Sequence, residues 1–212
     1  MQRRLIRKLD LEKALSEIKP HQKPRAYLEQ YTISPEAAAK ILCIAAYTYD
    51  DIDEKTIVDL GCGTGRLAIG AVLVGAKEVL GVDIDRAAIS MAQTNAEKLD
   101  ARKKTQWILA DIDMVRGSFD TVLQNPPFGV QRKAADRKFL DKSIELGKRV
   151  YSLHKSGKTN REFIKRFIEK RGGKITGIFP MEVEIPRIFK FHTKRKHVVK
   201  ADLYRMEGKG NG

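Results

Sequence analysis

The run Asp59-Leu60-Gly61-Cys62-Gly63-Thr64-Gly65 constrains this chain more than any other stretch. It follows the apolar run Ile57–Leu60 and precedes a segment of helical spacing, so three alternate glycines sit where a strand meets a helix. Glycine there permits positive φ and removes side chains that would block a ligand. The amides of the loop and of the helix N-terminus then face that ligand. Eighteen residues past Gly65, Val82-Asp83 ends a second apolar run, and a carboxylate at that place can accept from a ribose diol.

The rest of the chain agrees with this seed. Runs at Ile57–Leu60, Val79–Val82, Trp107–Leu109 and Thr121–Leu123 read as strands, with helices over about 66–75 and 86–99 between the first three. A helix over Phe139–Tyr151, a basic helix over 161–171 and strands over Lys174–Phe179 and Val198–Met206 follow. Upstream, Leu5, Leu9, Leu11, Ala14, Leu15 and Ile18 give an amphipathic helix that Pro20 ends. Ser34 as N-cap and Pro35 at the first helical position open a second helix that runs to about Tyr49. Strand and helix in alternation predict an α/β fold, a doubly wound and mostly parallel sheet joined by right-handed crossovers. The expected layout is an N-terminal helical extension over 1–50, a core over 51–206 and a frayed tail over 207–212.

Composition excludes several classes. At 212 residues and 42% hydrophobic the chain can fill a sizeable core, which a disordered chain cannot. No apolar run approaches the ~18–20 residues of a membrane span. The basic start is not followed by an apolar stretch, so no signal peptide is read. Cys43 and Cys62 are too few for a disulfide framework or a four-ligand zinc site. The expectation is a reduced, cytoplasmic protein with no metal and no membrane contact.

The glycine loop and Asp83 fit either a nicotinamide dinucleotide or S-adenosylmethionine. The spacing is G-x-G-x-G rather than G-x-G-x-x-G, and Asp59 precedes the first glycine, where a pyrophosphate would be repelled but an α-amino group attracted. The pattern resembles motif I of the seven-strand, Rossmann-like methyltransferases that use S-adenosylmethionine. That resemblance implies contacts from Asp59, Gly61, Gly63, Thr64 and Gly65, from Asp83 to the ribose with Ile84 beside it, and from Asp111 to the adenine amine with Ile112 beside it.

After the fourth strand comes Gln124-Asn125-Pro126-Pro127-Phe128-Gly129. Two prolines fix φ and cannot donate to a ladder, so the strand stops in a stiff loop at its carboxyl end, where ligands lie in a doubly wound sheet. The Asn125 side-chain oxygen and the Pro126 carbonyl offer two acceptors, Pro127 stiffens the bend, and Phe128 offers a face for stacking. Two acceptors on the two N–H bonds of a planar amine leave its lone pair aimed at a methyl donor, so positioning supplies most of the catalysis. No general base is needed, and His154 is not expected to be one. The motif resembles the [N/D]-P-P-[F/Y] signature of methyltransferases acting on adenine N6 or glutamine N5.

Further segments occur in one order: Leu28-Glu29-Gln30-Tyr31, Tyr49-Asp50-Asp51-Ile52, Ser118-Phe119-Asp120-Thr121-Val122, Val150-Tyr151-Ser152-Leu153-His154-Lys155-Ser156 and Phe189-Lys190-Phe191-His192. With the motifs above they look like the methyltransferase-like family that modifies adenine N6 in small-subunit ribosomal RNA, over about residues 26–206. The resemblance implies cofactor contacts from Gln30 and, where the family has Pro-Thr, from Thr32 of Thr32-Ile33; Asn125 also meets the cofactor. It implies a small zinc-binding activator protein as partner, for which an exposed apolar edge strand would serve.

Charge points to the other substrate. Residues 1–131 hold 18 basic and 18 acidic side chains, whereas 132–212 hold 23 basic and 9 acidic, so the net +14 lies wholly in the last two-fifths. Segregated charge suits a polyanion. Arg132, Lys133, Lys190, His192, Lys194, Arg195 and Lys196 are the expected RNA contacts, and Phe189 and Phe191 could stack on bases. The rivals are a protein glutamine N5-methyltransferase, an RNA-binding protein without activity, and a nicotinamide oxidoreductase. Only the first also uses a double proline.

Overall fold

The computed structural model describes residues 5–21, 24, 31–127, 135–186 and 196–210. Its centre is a seven-stranded sheet of order β3-β2-β1-β4-β5-β7-β6. The strands are β1 (Thr56–Leu60), β2 (Glu78–Asp83), β3 (Thr105–Leu109), β4 (Phe119–Gln124), β5 (Gly147–Lys155), β6 (Lys174–Pro186) and β7 (Lys196–Glu207). The first five run parallel, and β7 pairs antiparallel with both β5 and β6. Strand order reverses at β1, so β2 and β4 flank it and their carboxyl ends open a crevice there.

Both faces of the sheet are covered, and neighbouring residues of one strand serve opposite layers. Ile57 joins the layer of α1 (Lys8–Ser16), α2 (Pro35–Cys43), α3 (Arg66–Leu73) and α4 (Arg86–Lys98), whereas Val58 and Leu60 join the layer of α5 (Ala135–Leu146) and α6 (Lys158–Lys170). The N-terminal helices share the first of these cores, with Leu11, Leu15 and Leu42 fully buried. A Cβ on Gly70 of α3 would fall 2.3 Å from a Leu42 methyl, so this glycine sets how closely α2 and α3 approach. Ser34 caps α2 as its sequence suggests, accepting from the Ala37 amide at 3.2 Å. The helix then widens into a π-helical turn over Ile44–Thr48.

Three expectations need correction. The helix placed over Phe139–Tyr151 ends at Leu146, and residues 147–155 form β5. A Cβ on Gly147 would meet a Val122 methyl at 2.5 Å, so the helix breaks where β5 must close against β4. β6 runs on past Phe179 to Pro186, held by an unbroken pairing with β7 from Gly177 onward. The tail does not fray at its start: Glu207 ends β7, and the amides of Gly208 and Lys209 donate to Lys148 and Ile144 carbonyls at 3.2 and 2.9 Å. Among the described residues no helix is long and apolar enough to cross a membrane.

Candidate active site

The loop after β1 folds as its glycines require. Gly61, Gly63 and Gly65 have φ of 70°, 54° and 86°, in the left-handed region. The amides of Gly61 and Cys62 both donate to the Val82 carbonyl, at 2.9 and 3.0 Å, which ties the loop to the end of β2. Asp83 completes the tie: one carboxylate oxygen accepts the Gly63 amide at 2.8 Å and the other the Asp85 amide at 2.9 Å. Its pKa is raised, chiefly by burial, against the pull of those two amides.

Asp59 lies beneath the same loop, accepting the Ala68 amide of α3 at 3.0 Å. Burial pushes its pKa up to about 7, with the nearby Asp83 adding to the effect. Across the crevice Asn125 follows β4, and its side-chain oxygen accepts from the Tyr31 hydroxyl at 2.8 Å. Asp111 caps the short 3-10 turn Ile112–Met114 by accepting from the Asp113 amide at 3.0 Å. Lys138 of α5 donates to Asp111 at 2.6 Å and pairs with Asp113 at 3.0 Å. Burial alone would lift the Asp111 carboxyl; the Lys138 and Asp113 hydrogen bonds bring it below its ordinary value.

These groups border one cavity at the carboxyl ends of β1, β2 and β4. Of the residues the sequence singled out, Thr32, Asp59, Gly61, Gly63, Thr64, Asp83, Ile84, Asp111, Ile112, Asn125 and Pro127 line it. Gly65 does not; it is the N-cap of α3, and a Cβ there would strike Trp107 at 2.6 Å. Pro126 is not in the lining, although it adjoins two residues that are. Gln30 and Phe128 lie outside the described residues, as do Arg132, Lys133, Phe189, Lys190, Phe191, His192, Lys194 and Arg195. Lys196 opens β7, and its side chain is outside the description.

Several wall residues were not among the site residues expected from the sequence. His21, Tyr31, Arg66, Lys138 and Phe139 all border the cavity. Phe139 rests on the glycine loop, 3.0 Å from where a Gly61 Cβ would be. Tyr31 follows Gln30 in a motif segment and could have been found there; Lys138 and Phe139 reach the cavity only because α5 folds back over it.

The segment Tyr151-Ser152-Leu153-His154 is buried in β5 and does not border the cavity. Ser152 accepts from the Gln124 amide at 2.8 Å and lies 2.6 Å from His154 Nε2, so it supports the strand end that carries Asn125. Burial pushes His154 down to about 3, which keeps it neutral. Tyr151 donates to Asp51 at 2.6 Å, and the Arg205 guanidinium donates to Asp51 at 2.8 Å while stacking 4.2 Å over the Tyr49 ring. Two of the distant sequence segments thus meet in one structural cluster.

Strand order, glycine loop and crevice together define a Rossmann-like methyltransferase. Residues 38–126 match the ribosomal protein L11 methyltransferase (PrmA) family. The crystal structure of PH1948 from Pyrococcus horikoshii, for which an RNA methyltransferase role has been suggested, is 38% identical with a TM-score of 0.89, covering 97% of this chain and 99% of that one. An uncharacterised protein of Methanocaldococcus jannaschii is 40% identical over 97% of this chain and 96% of its own. The rRNA N(6)-adenosine-methyltransferase METTL5 of Danio rerio is 33% identical over 92% of this chain and 96% of its own. The chain belongs to the METTL5 family of rRNA N(6)-adenosine-methyltransferases.

Proposed function

We propose that this protein transfers a methyl group from S-adenosylmethionine to N6 of an adenosine in structured RNA, with small-subunit ribosomal RNA as the substrate. The observation that carries the reading is Asn125 at the end of β4, on the same cavity as Gly61 and Asp83, with its oxygen already oriented by the Tyr31 hydroxyl. Family membership over nearly the whole chain points to the same reaction.

The residues present suit the cofactor. Asp83 and the glycine loop take the ribose end, Asp111 the adenine amine, and buried Asp59 the α-ammonium. When bound, S-adenosylmethionine supplies an electrophilic methyl on sulfur. Asn125 Oδ1 and the Pro126 carbonyl accept the two N–H bonds of the target adenine and fix its amine plane. With the cofactor bound, the N6 lone pair would form the new N–C bond as the C–S bond broke and left its electron pair on sulfur, and N6 would then lose one proton to solvent. Fixed acceptor dipoles stabilise the charge that develops on nitrogen. His154, buried and neutral, takes no proton in this scheme. The adenine must first leave its stack, and Phe128 is the residue to receive it.

The similarity to ribosomal protein L11 methyltransferases favours a second reading, a protein amide or amine as acceptor. That match stops at residue 126, so it covers the cofactor half and not the basic half that follows. Transfer of labelled methyl into mixed ribosomal RNA and protein decides between them. Label lost to nuclease supports RNA, and label lost only to protease overturns it.

An apolar sheet edge supports the expected activator protein as a partner. β3 is a sheet edge, and Ile108 and Leu109 on it are exposed, as are Ile84, which follows β2, and Met114 in the turn after β3. Cys43 and Cys62 are both free thiols, which fits a reducing cytoplasm.

A further inference from the structure

Arg66 is the first residue of α3, and it is only 7% exposed. One guanidinium N–H donates to the Ile33 carbonyl and another to the Ile18 carbonyl at 2.8 Å. Both acceptors are neutral. Its Nε, and the hydroxyl of Thr64 two residues earlier, are buried with no hydrogen-bond partner among the described residues. Burial lowers the Arg66 pKa to about 10, partly offset by Glu36, so the group stays cationic at neutral pH. A desolvated cation without a hydrogen-bonded anion is costly to maintain and normally has a counter-ion.

The surroundings say where that counter-ion goes. Arg66 and Thr64 border the cavity that also holds Asp59. Gly65, the N-cap of α3, has no side chain to cap the first turn, and Asp59 takes only the Ala68 amide. The positive end of the helix dipole is therefore open toward the same place. A buried cation, a helix N-terminus and a carboxylate around one cavity match the two ends of an α-amino acid.

We propose that Arg66, with Thr64 and the amino end of α3, forms the subsite for the α-carboxylate of the cofactor's amino-acid moiety. The proposal rests on the reading of the cavity as the S-adenosylmethionine site. Guanidinium is the side chain best suited to a carboxylate. Its two carbonyl contacts also hold Ile18 and Ile33, which bracket the wall residues His21, Tyr31 and Thr32. Arg66 thus both builds the wall and supplies the charge.

The test compares two ligands on the full chain by calorimetry. S-adenosylhomocysteine carries the amino-acid end, and 5′-methylthioadenosine lacks it. Arg66→Met should weaken S-adenosylhomocysteine by about ten- to a hundredfold, the value of a hydrogen bond to a charged group, and leave 5′-methylthioadenosine within about twofold. Arg66→Lys should recover most of the loss. Equal losses for both ligands would show a purely structural staple and overturn the proposal, as would no loss for either. Wild type binding both ligands equally would also overturn it, since the amino-acid end would then go unread. Wild type binding neither would instead refute the cofactor reading itself. Should Arg66→Met not fold, as judged by thermal unfolding, Arg66→Gln takes its place, with the same selective loss expected and equal losses for both ligands again overturning the proposal.

Discussion

Asn125 and Asp59 differ in what holds them, and their substitutions should differ accordingly. Asn125 sits at the cavity with its oxygen on a neutral donor, so in the proposed mechanism removing it takes away an acceptor for the N–H of the target amine and little else. Asn125→Ala should lower kcat by about 10²–10³, the usual cost of losing one preorganised polar group, with the Kd for S-adenosylhomocysteine changed only a few-fold. A large loss of cofactor binding would show that Asn125 serves the cofactor rather than the adenine. Asp59 should show itself through pH. Its carboxyl is lifted to about 7, and only the ionised form would pair with the ligand's ammonium. Below about pH 7 binding must expel a proton, so affinity should fall by up to about tenfold per unit. Asp83 and His21 border the same cavity, so the quantity to compare is wild type against Asp59→Asn, which should have the flatter profile. The stability of the empty protein should move oppositely. Neutral Asp59 favours the fold, and this contribution is complete below the ordinary carboxylate range and lost as pH rises through about 7.

At the scale of elements, α5 ties the Asn125 loop to the Asp111 side of the cavity. It follows the Asn125–Phe128 loop in the chain, and through Lys138 it grips Asp111 at 2.6 Å and Asp113 at 3.0 Å. Lys138→Met should therefore raise the KM for S-adenosylmethionine about three- to tenfold while kcat stays within about twofold, and Lys138→Arg should restore it; a loss confined to kcat would contradict this role. None of this was visible in the sequence, because Lys138 is one basic residue among many on an amphipathic helix. β5 was hidden for a related reason. Its Val150, Tyr151 and Leu153 are buried on both faces, so the run shows no alternation and reads equally well as a buried helix. By contrast β1, β2, β4 and the glycine loop were legible, since glycine and proline stop elements by local sterics that need no tertiary context. The same holds for Ser34 and Pro35, which fixed the start of α2.

Across the whole molecule, the proposed function gives most of the cofactor contacts to the charge-neutral part of the chain and the RNA contacts to the basic part. Residues 38–126 are shared with ribosomal protein L11 methyltransferases, and this stretch lies in the charge-neutral part. The part after it carries the whole excess of +14 and matches the METTL5 relatives. β5 ends at Lys155 on the same edge of the sheet as Asn125, and α6 begins at Lys158. Both lysines are exposed, and neither lines the cavity. RNA affinity should fall steeply with salt, by about 10³–10⁵ between 50 and 200 mM if six to ten phosphates are met. Binding of S-adenosylhomocysteine should hardly change over that range. Lys155→Gln combined with Lys158→Gln should weaken RNA binding and reduce the log–log salt slope by up to about two, leaving S-adenosylhomocysteine affinity intact. A salt response as flat as that of the small ligand would mean that RNA is held without its phosphates, and the segregated charge would then need another purpose.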